Sequence, residues 1–162
     1  MKKKELIIMH CSATKPSTNY TVDRLGRDHA ARGFAPPYGY HFYYTKDGVE
    51  HVGRTTDREG AHAKGFNHNI GICYEGGLNE NGEQEDTRTP AQKAAIAKRI
   101  LLLREEFGPL PVVGHRDLSP DINKDGIIQE YERLKGCPCY EAIDEHNTAQ
   151  TLKPFLIKYL NQ

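Results

Sequence analysis

The stretch at 114–139 reads GHRDLSPDINKDGIIQEYERLKGCPC. It gathers one histidine (His115), two cysteines (Cys137 and Cys139) and a carboxylate-rich turn within a chain of 162 residues. Thiolate and imidazole suit zinc or another transition metal, whereas carboxylate and carbonyl oxygens suit calcium, so one ion does not satisfy both halves. A second histidine, His10, follows the apolar run at 6–9, as His115 follows the run at 111–113. Two neutral imidazoles and a thiolate around Zn²⁺ leave an open position with residual positive charge, the arrangement that activates a water. His10, His115 and Cys137 are therefore candidate zinc ligands. Spacing alone leaves an alternative open: with eight histidines in the chain, two fall at strand ends by chance and Cys137 is an ordinary buried thiol.

The turn between them has its own pattern. Counted from Asp121, positions 1, 3 and 5 of a calcium loop are Asp121, Asn123 and Asp125, position 6 is Gly126, and position 12 is Glu132. The Ile127 carbonyl stands at position 7 and Gln129 at position 9. Pro120, just before the loop, argues against the incoming helix of a full EF-hand. A half-hand is expected, with 128–135 as a short exiting helix stopped by Gly136; a polar turn without an ion is the alternative. Bound calcium would fix that helix and so aim Lys135 and Cys137.

These side chains need a frame. Residues 6–9 read as a buried strand that delivers His10 at its C-terminal end, where sites form in open α/β sheets. Thr21 can cap a helix over 22–32 with Gly33 as its stop. YHFYYTKDGVEHVG reads as a hairpin turning at Lys46-Asp47-Gly48, with the Asp-Gly pair supplying positive φ. Alternation puts Tyr40, Phe42 and Tyr44 on one face and leaves His41 a structural position. Residues 70–74 form another strand, closed by Gly76-Gly77. The clearest helix starts at Thr89-Pro90-Ala91-Gln92, a capping box with proline at the first position. Ile96, Ile100, Leu103 and Phe107 mark its apolar face and Gly108 ends it. Residues 111–113 are a last strand, and 147–162 a short surface helix entered near Pro154.

Composition narrows the partners. Lys plus Arg and Asp plus Glu both number 22, so the balanced charge gives no electrostatic case for nucleic acid. No apolar run approaches the roughly 20 residues of a membrane span. The basic start MKKKELIIMH has too short an apolar run for a signal peptide, so the chain is expected in the cytoplasm at synthesis. Four cysteines then argue for metal binding or buried thiols over disulfides, with Cys11 and Cys73 read as small buried hydrophobes. The length fits one domain over 1–162. A monomer is expected.

Six blocks carry a resemblance: HCSATKPS (10–17), GYHF (39–42), HAKGFNHN (62–69), IGIC (70–73), TPAQ (89–92) and KGCP (135–138). Together they resemble the zinc-dependent N-acetylmuramoyl-L-alanine amidases, specifically phage lysozymes of the amidase type, which are related to the peptidoglycan recognition proteins. The resemblance implies a single α/β domain with a mixed central sheet flanked by helices, and one zinc held by His10, His115 and Cys137. It also implies catalytic roles for Tyr40 and Lys135. Lys135 stands two residues from Cys137, so an extended segment would point both toward the metal. The implied reaction is hydrolysis of the amide between N-acetylmuramic acid and L-alanine in peptidoglycan. His62, Asn67 and His68 would line the glycan or peptide groove.

There are departures. The serine that precedes IGI in the family is missing before Ile70, Cys139 adds a second thiol, and a calcium-loop-like insertion occupies about 119–134. The alternatives are a non-catalytic peptidoglycan-binding module, which loss of the cysteine ligand would favour, and a cytosolic muropeptide-recycling amidase, whose pattern has aspartate in the third-ligand place. An endolysin released by a separate lysis partner fits better.

Overall fold

The strand IIMHC (β1, Ile7–Cys11) is apolar on both faces because both are covered, and all five residues are buried. The computed structural model describes residues 2–160. It sets β1 in a five-stranded sheet with β2 (Phe42–Tyr44), β3 (Glu50–Val52), β4 (Ile70–Tyr74) and β5 (Val112–Gly114), in the order β3-β2-β4-β1-β5. β1 runs parallel to β4 and β5, β2 runs parallel to β4, and the β2–β3 hairpin is antiparallel. Helices α1 (Val22–Ala31), α2 (Pro90–Phe107), α3 (Ala142–His146) and α4 (Ala149–Tyr159) flank this mixed sheet. The expected α/β class holds.

Alternation along the strands sorts the core. Ile7, Met9 and Cys11 share one face with Phe42, Tyr44, Ile70, Ile72 and Val112, and Ile96, Ile100 and Leu103 of α2 close over them. Burying each of those three helix side chains is worth about 1.5–3 kcal/mol. The capping box forms as expected: Gln92 N–H donates to Thr89 Oγ1 at 3.1 Å and Thr89 N–H to Gln92 Oε1 at 2.9 Å. On the other face Ile8 and Val113 pack with Phe155 of α4, and Tyr43 and Cys73 pack with Leu25 of α1. A groove bordered by Ala63 of the first cluster and Tyr40 beside the second opens over the end of β1.

Local expectations change at four places. Tyr40 does not share a face with Phe42 and Tyr44; the strand begins only at Phe42, so alternation does not reach back to Tyr40, which packs on the opposite face. Of the Asp-Gly pair only Gly48 takes positive φ, at 80°. The last helix starts at Ala149 under a Thr148 cap and contains Pro154, and Phe155 docks it to the core at 1% exposure. Met1 and residues 161–162 of the expected tail lie outside the described residues. The exiting helix over 128–135 does not form, leaving one 3-10 turn at Glu130–Glu132. Glu132 explains this, since its carboxylate accepts the N–H groups of Ile122, Asn123 and Gln129 and closes the loop on itself, after which the chain leaves extended at Arg133.

Candidate active site

Parallel pairing brings the two histidines together. Met9 is in register with Gly114, so the next residues, His10 and His115, lie side by side at the C-terminal ends of β1 and β5 with ring centroids 4.6 Å apart. Cys137 arrives on the segment after the loop. Arg116 N–H donates to its carbonyl at 2.8 Å, and Cys11 N–H donates to its Sγ at 3.2 Å. One ligand atom from each of His10, His115 and Cys137 lies within 4.8 Å of the others. Among the described residues this is the one group of three His, Cys, Asp or Glu that converges in this way.

His62 sets how His10 presents itself. The Asn69 carbonyl can only accept, so His62 donates to it through Nε2–H at 3.2 Å and its Nδ1 carries a lone pair. That lone pair accepts Nε2–H of His10 at 2.9 Å, which leaves His10 Nδ1 with a lone pair free for a metal. Burial pushes His10 well below its usual range, with help from the neighbouring His62 and His115. Burial brings His115 down to about 4, with Lys135 adding to the effect, and brings His62 down to about 3. All three rings are therefore neutral at pH 7, the form in which imidazole binds metals.

The groove around this cluster has a volume of about 420 Å³. Tyr40 stacks against His10 at 5.1 Å, its hydroxyl beside the Cys73 thiol, and burial holds the phenol well above its usual range and so protonated. Lys135 and Cys137 both face the groove, as the K-x-C spacing predicts. Arg32, Phe34 and Lys64 also line it, whereas no Asp or Glu among the described residues does. Arg32 and Phe34 escaped the sequence reading because they leave α1 as a stop and a loop with no chemical pattern. The Arg32 guanidinium rests 4.7 Å over the Phe34 ring.

The HAKGFNHN block splits three ways. His62 stands behind His10, and Asn67 reaches the groove wall while its Oδ1 accepts the N–H groups of His62 and Ala63. His68 is a correction: it turns away, beside Glu5 at 3.8 Å, because Lys4 and Glu5 anchor this end of the turn. Asn69 holds this end of the turn without the missing serine, its buried Oδ1 accepting from the N–H groups of Glu5 and Leu6. His41 is structural as expected, accepting from Gly71 N–H and donating to the Arg58 carbonyl.

Calcium gains no support from the loop. Asp125 Oδ1 accepts Ile127 N–H, and Asp121 Oδ2 accepts Gly126 N–H. Asp121 Oδ1 is buried without a hydrogen-bond partner. Cys139 stays out of the ligand cluster because the segment turns after Pro138, with Cys139 N–H donating to the Gly136 carbonyl.

A family model described as N-acetylmuramoyl-L-alanine amidase matches residues 1–138. The chain belongs to this amidase family. The endolysin of Enterobacteria phage T3 is 38% identical to it over 117 residues, covering 72% of this chain and 77% of the relative. The endolysin of Escherichia phage T7 is 36% identical over the same length, with the same coverage. Among solved structures, the amidase LysC from Clostridium intestinale superimposes with a TM-score of 0.67 at 24% identity, over 94% of this chain and 85% of that one. Drosophila PGRP-LB gives 0.65 at 20% identity, over 90% and 80%. These two likenesses establish the fold that the amidase family shares with the recognition proteins.

Proposed function

We propose that the chain hydrolyses the amide bond between N-acetylmuramic acid and L-alanine in bacterial peptidoglycan, using one zinc ion held by His10, His115 and Cys137. The convergence of those three ligand atoms within 4.8 Å, on neutral imidazoles and a thiol, carries the proposal. The donor set fits zinc: two nitrogens and a sulfur in place, with a groove where a fourth ligand and the substrate enter. Zinc bound there supplies Lewis acidity, polarising an amide carbonyl and acidifying a water at neutral pH. Tyr40, held protonated, donates a hydrogen bond to the carbonyl oxygen as it gains charge, and the Lys135 ammonium adds positive charge on the same side. Arg32 and Lys64, in a wall free of carboxylates, attract the anionic peptide stem.

Among the described residues no helix is long and apolar enough to cross a membrane. The endolysin relatives support action on the cell wall after release by a lysis partner. Cys137, where the recycling branch has aspartate, favours the lytic role over recycling, and the complete ligand set favours catalysis over binding alone. Incubating the zinc-loaded protein with purified peptidoglycan, with a chelated control, tests the proposal. Free peptides beginning with L-alanine, lost on chelation, are expected by mass spectrometry. Bound but uncut peptidoglycan would make the chain a recognition module.

A further inference from the structure

Two thiols lie behind the ligand cluster and take no part in it. Cys11 is the last residue of β1 and points to the face opposite His10, and its Sγ lies 3.8 Å from Cys139 Sγ. Cys139 reaches that position through a left-handed backbone, φ 66°, which a residue with a β-carbon adopts at a cost that glycine would avoid. Gly77 makes the space: a β-carbon there would stand 2.5 Å from Cys11 Sγ and 3.6 Å from Cys139 Sγ. Cys11 is buried at 7% exposure, and Cys139 is half-buried at the edge of the core beneath α2.

We propose that Cys11 and Cys139 are a redox pair that closes to a disulfide when the protein meets an oxidising environment. The bond would tie the strand end that carries His10 to the segment that carries Cys137, from behind the cluster. With a small dialkyl disulfide such as oxidised glutathione as oxidant, Cys139 Sγ attacks one glutathione sulfur and expels the first glutathione as a thiol. Cys11 Sγ then attacks Cys139 Sγ, the mixed disulfide breaks, and the second glutathione leaves. Two protein thiols are oxidised by two electrons and one glutathione disulfide is reduced to two thiols, which carry away the two protons. The sulfurs must close from 3.8 Å to the roughly 2.05 Å of the bond. Cys137 lies within reach of Cys11, but its sulfur already accepts Cys11 N–H and faces the histidines, so a zinc ion held there would shield it and leave Cys139 as the partner.

The experiment uses the zinc-loaded full chain, equilibrated with reduced or with oxidised glutathione. The expected result is a loss of about 2 Da in the oxidised sample with no bound glutathione, a proteolytic cross-link joining Cys11 to Cys139, and retained zinc. The oxidised form should melt about 5–10 °C higher than the reduced form. It should also release zinc to a chelator about tenfold more slowly. Cys139→Ser should hold zinc and melt near the reduced wild type, yet show neither the mass loss nor the rise. No mass loss would overturn the proposal, and so would a cross-link through Cys137 accompanied by zinc release. Because the wild type alone gives the mass and cross-link, the test survives if Cys139→Ser fails to fold. Failure of peptidoglycan cleavage would leave these readouts untouched.

Discussion

The cluster of His10, His115 and Cys137 and the loop at 121–132 both gather side chains able to bind cations, but they engage them differently. In the cluster, two rigid parallel strands deliver the histidines, and His62 occupies the nitrogen of His10 that a metal does not need. In the loop, Glu132 and Asp125 accept N–H groups from the loop's own backbone. A ligand set assembled by distant elements keeps its lone pairs for something else, whereas a local acidic turn satisfies its own turn first.

Breaking the cluster should have the largest effect. Cys137→Ala removes the thiolate, and zinc content should fall to background with peptidoglycan cleavage down about 10⁴-fold while the far-ultraviolet circular dichroism is unchanged. Zinc analysis and product release measured on one sample check both halves. Tyr40→Phe sharpens the comparison by separating holding the metal from using it. Zinc should stay at one per chain while kcat falls about 10²–10³-fold, the cost of losing one donor to a developing oxyanion. An unchanged kcat would make Tyr40 a packing residue beside Cys73.

His41, packed against His62 behind the cluster, should also part company with the loop in acid. Burial lowers His41 to about 4, so the unfolded state, with its ordinary histidine value near 6.5, takes up that proton first. Stability from His41 is therefore complete above about pH 6.5 and is lost as pH falls toward 4, by at most roughly 3 kcal/mol. Asp125 has its carboxyl held below 3.8 by hydrogen bonds from Ile127 N–H and Gln129, so the loop keeps its contribution across the same window. Urea melts of metal-free protein at pH 7, 6 and 5 should show the decline, with a shallower slope for His41→Gln; a flat profile would count against the buried neutral imidazole. A smaller effect is expected at His62. His62→Ala leaves all three ligands but frees the His10 ring, so zinc affinity should drop about 10- to 100-fold by competition with a chromophoric chelator.

The strands, the capping box and the convergence of His10, His115 and Cys137 were legible because each rests on a local signal: short apolar runs ending in histidine, Thr89 three residues before Gln92, and the quoted family blocks. What escaped was set by three-dimensional neighbours. HAKGFNHN showed that something polar gathers at 62–69, but only the turn held by Asn67 decides that His62 faces His10 while His68 faces Glu5. Alternation misassigned Tyr40 because the period holds only inside a strand. Nothing in the spacing of Cys11 and Cys139, 128 residues apart, marks them as neighbours.

The smallest expected effect is at the loop, where the comparison itself can be broken. Asp121 Oδ1 is the carboxylate oxygen there that is buried without a partner, while Glu132, 2% exposed, accepts three N–H groups. A calcium ion would have to win Glu132 and Asp125 from those donors, so 1 mM calcium should move the melting temperature of the zinc-loaded protein by less than about 1 °C. Binding at about 10 μM would instead stabilise the fold by about 2.7 kcal/mol and raise the melting temperature by about 5–10 °C. A rise of that size, abolished by Asp121→Ala, would show that the loop's hydrogen bonds yield to an ion.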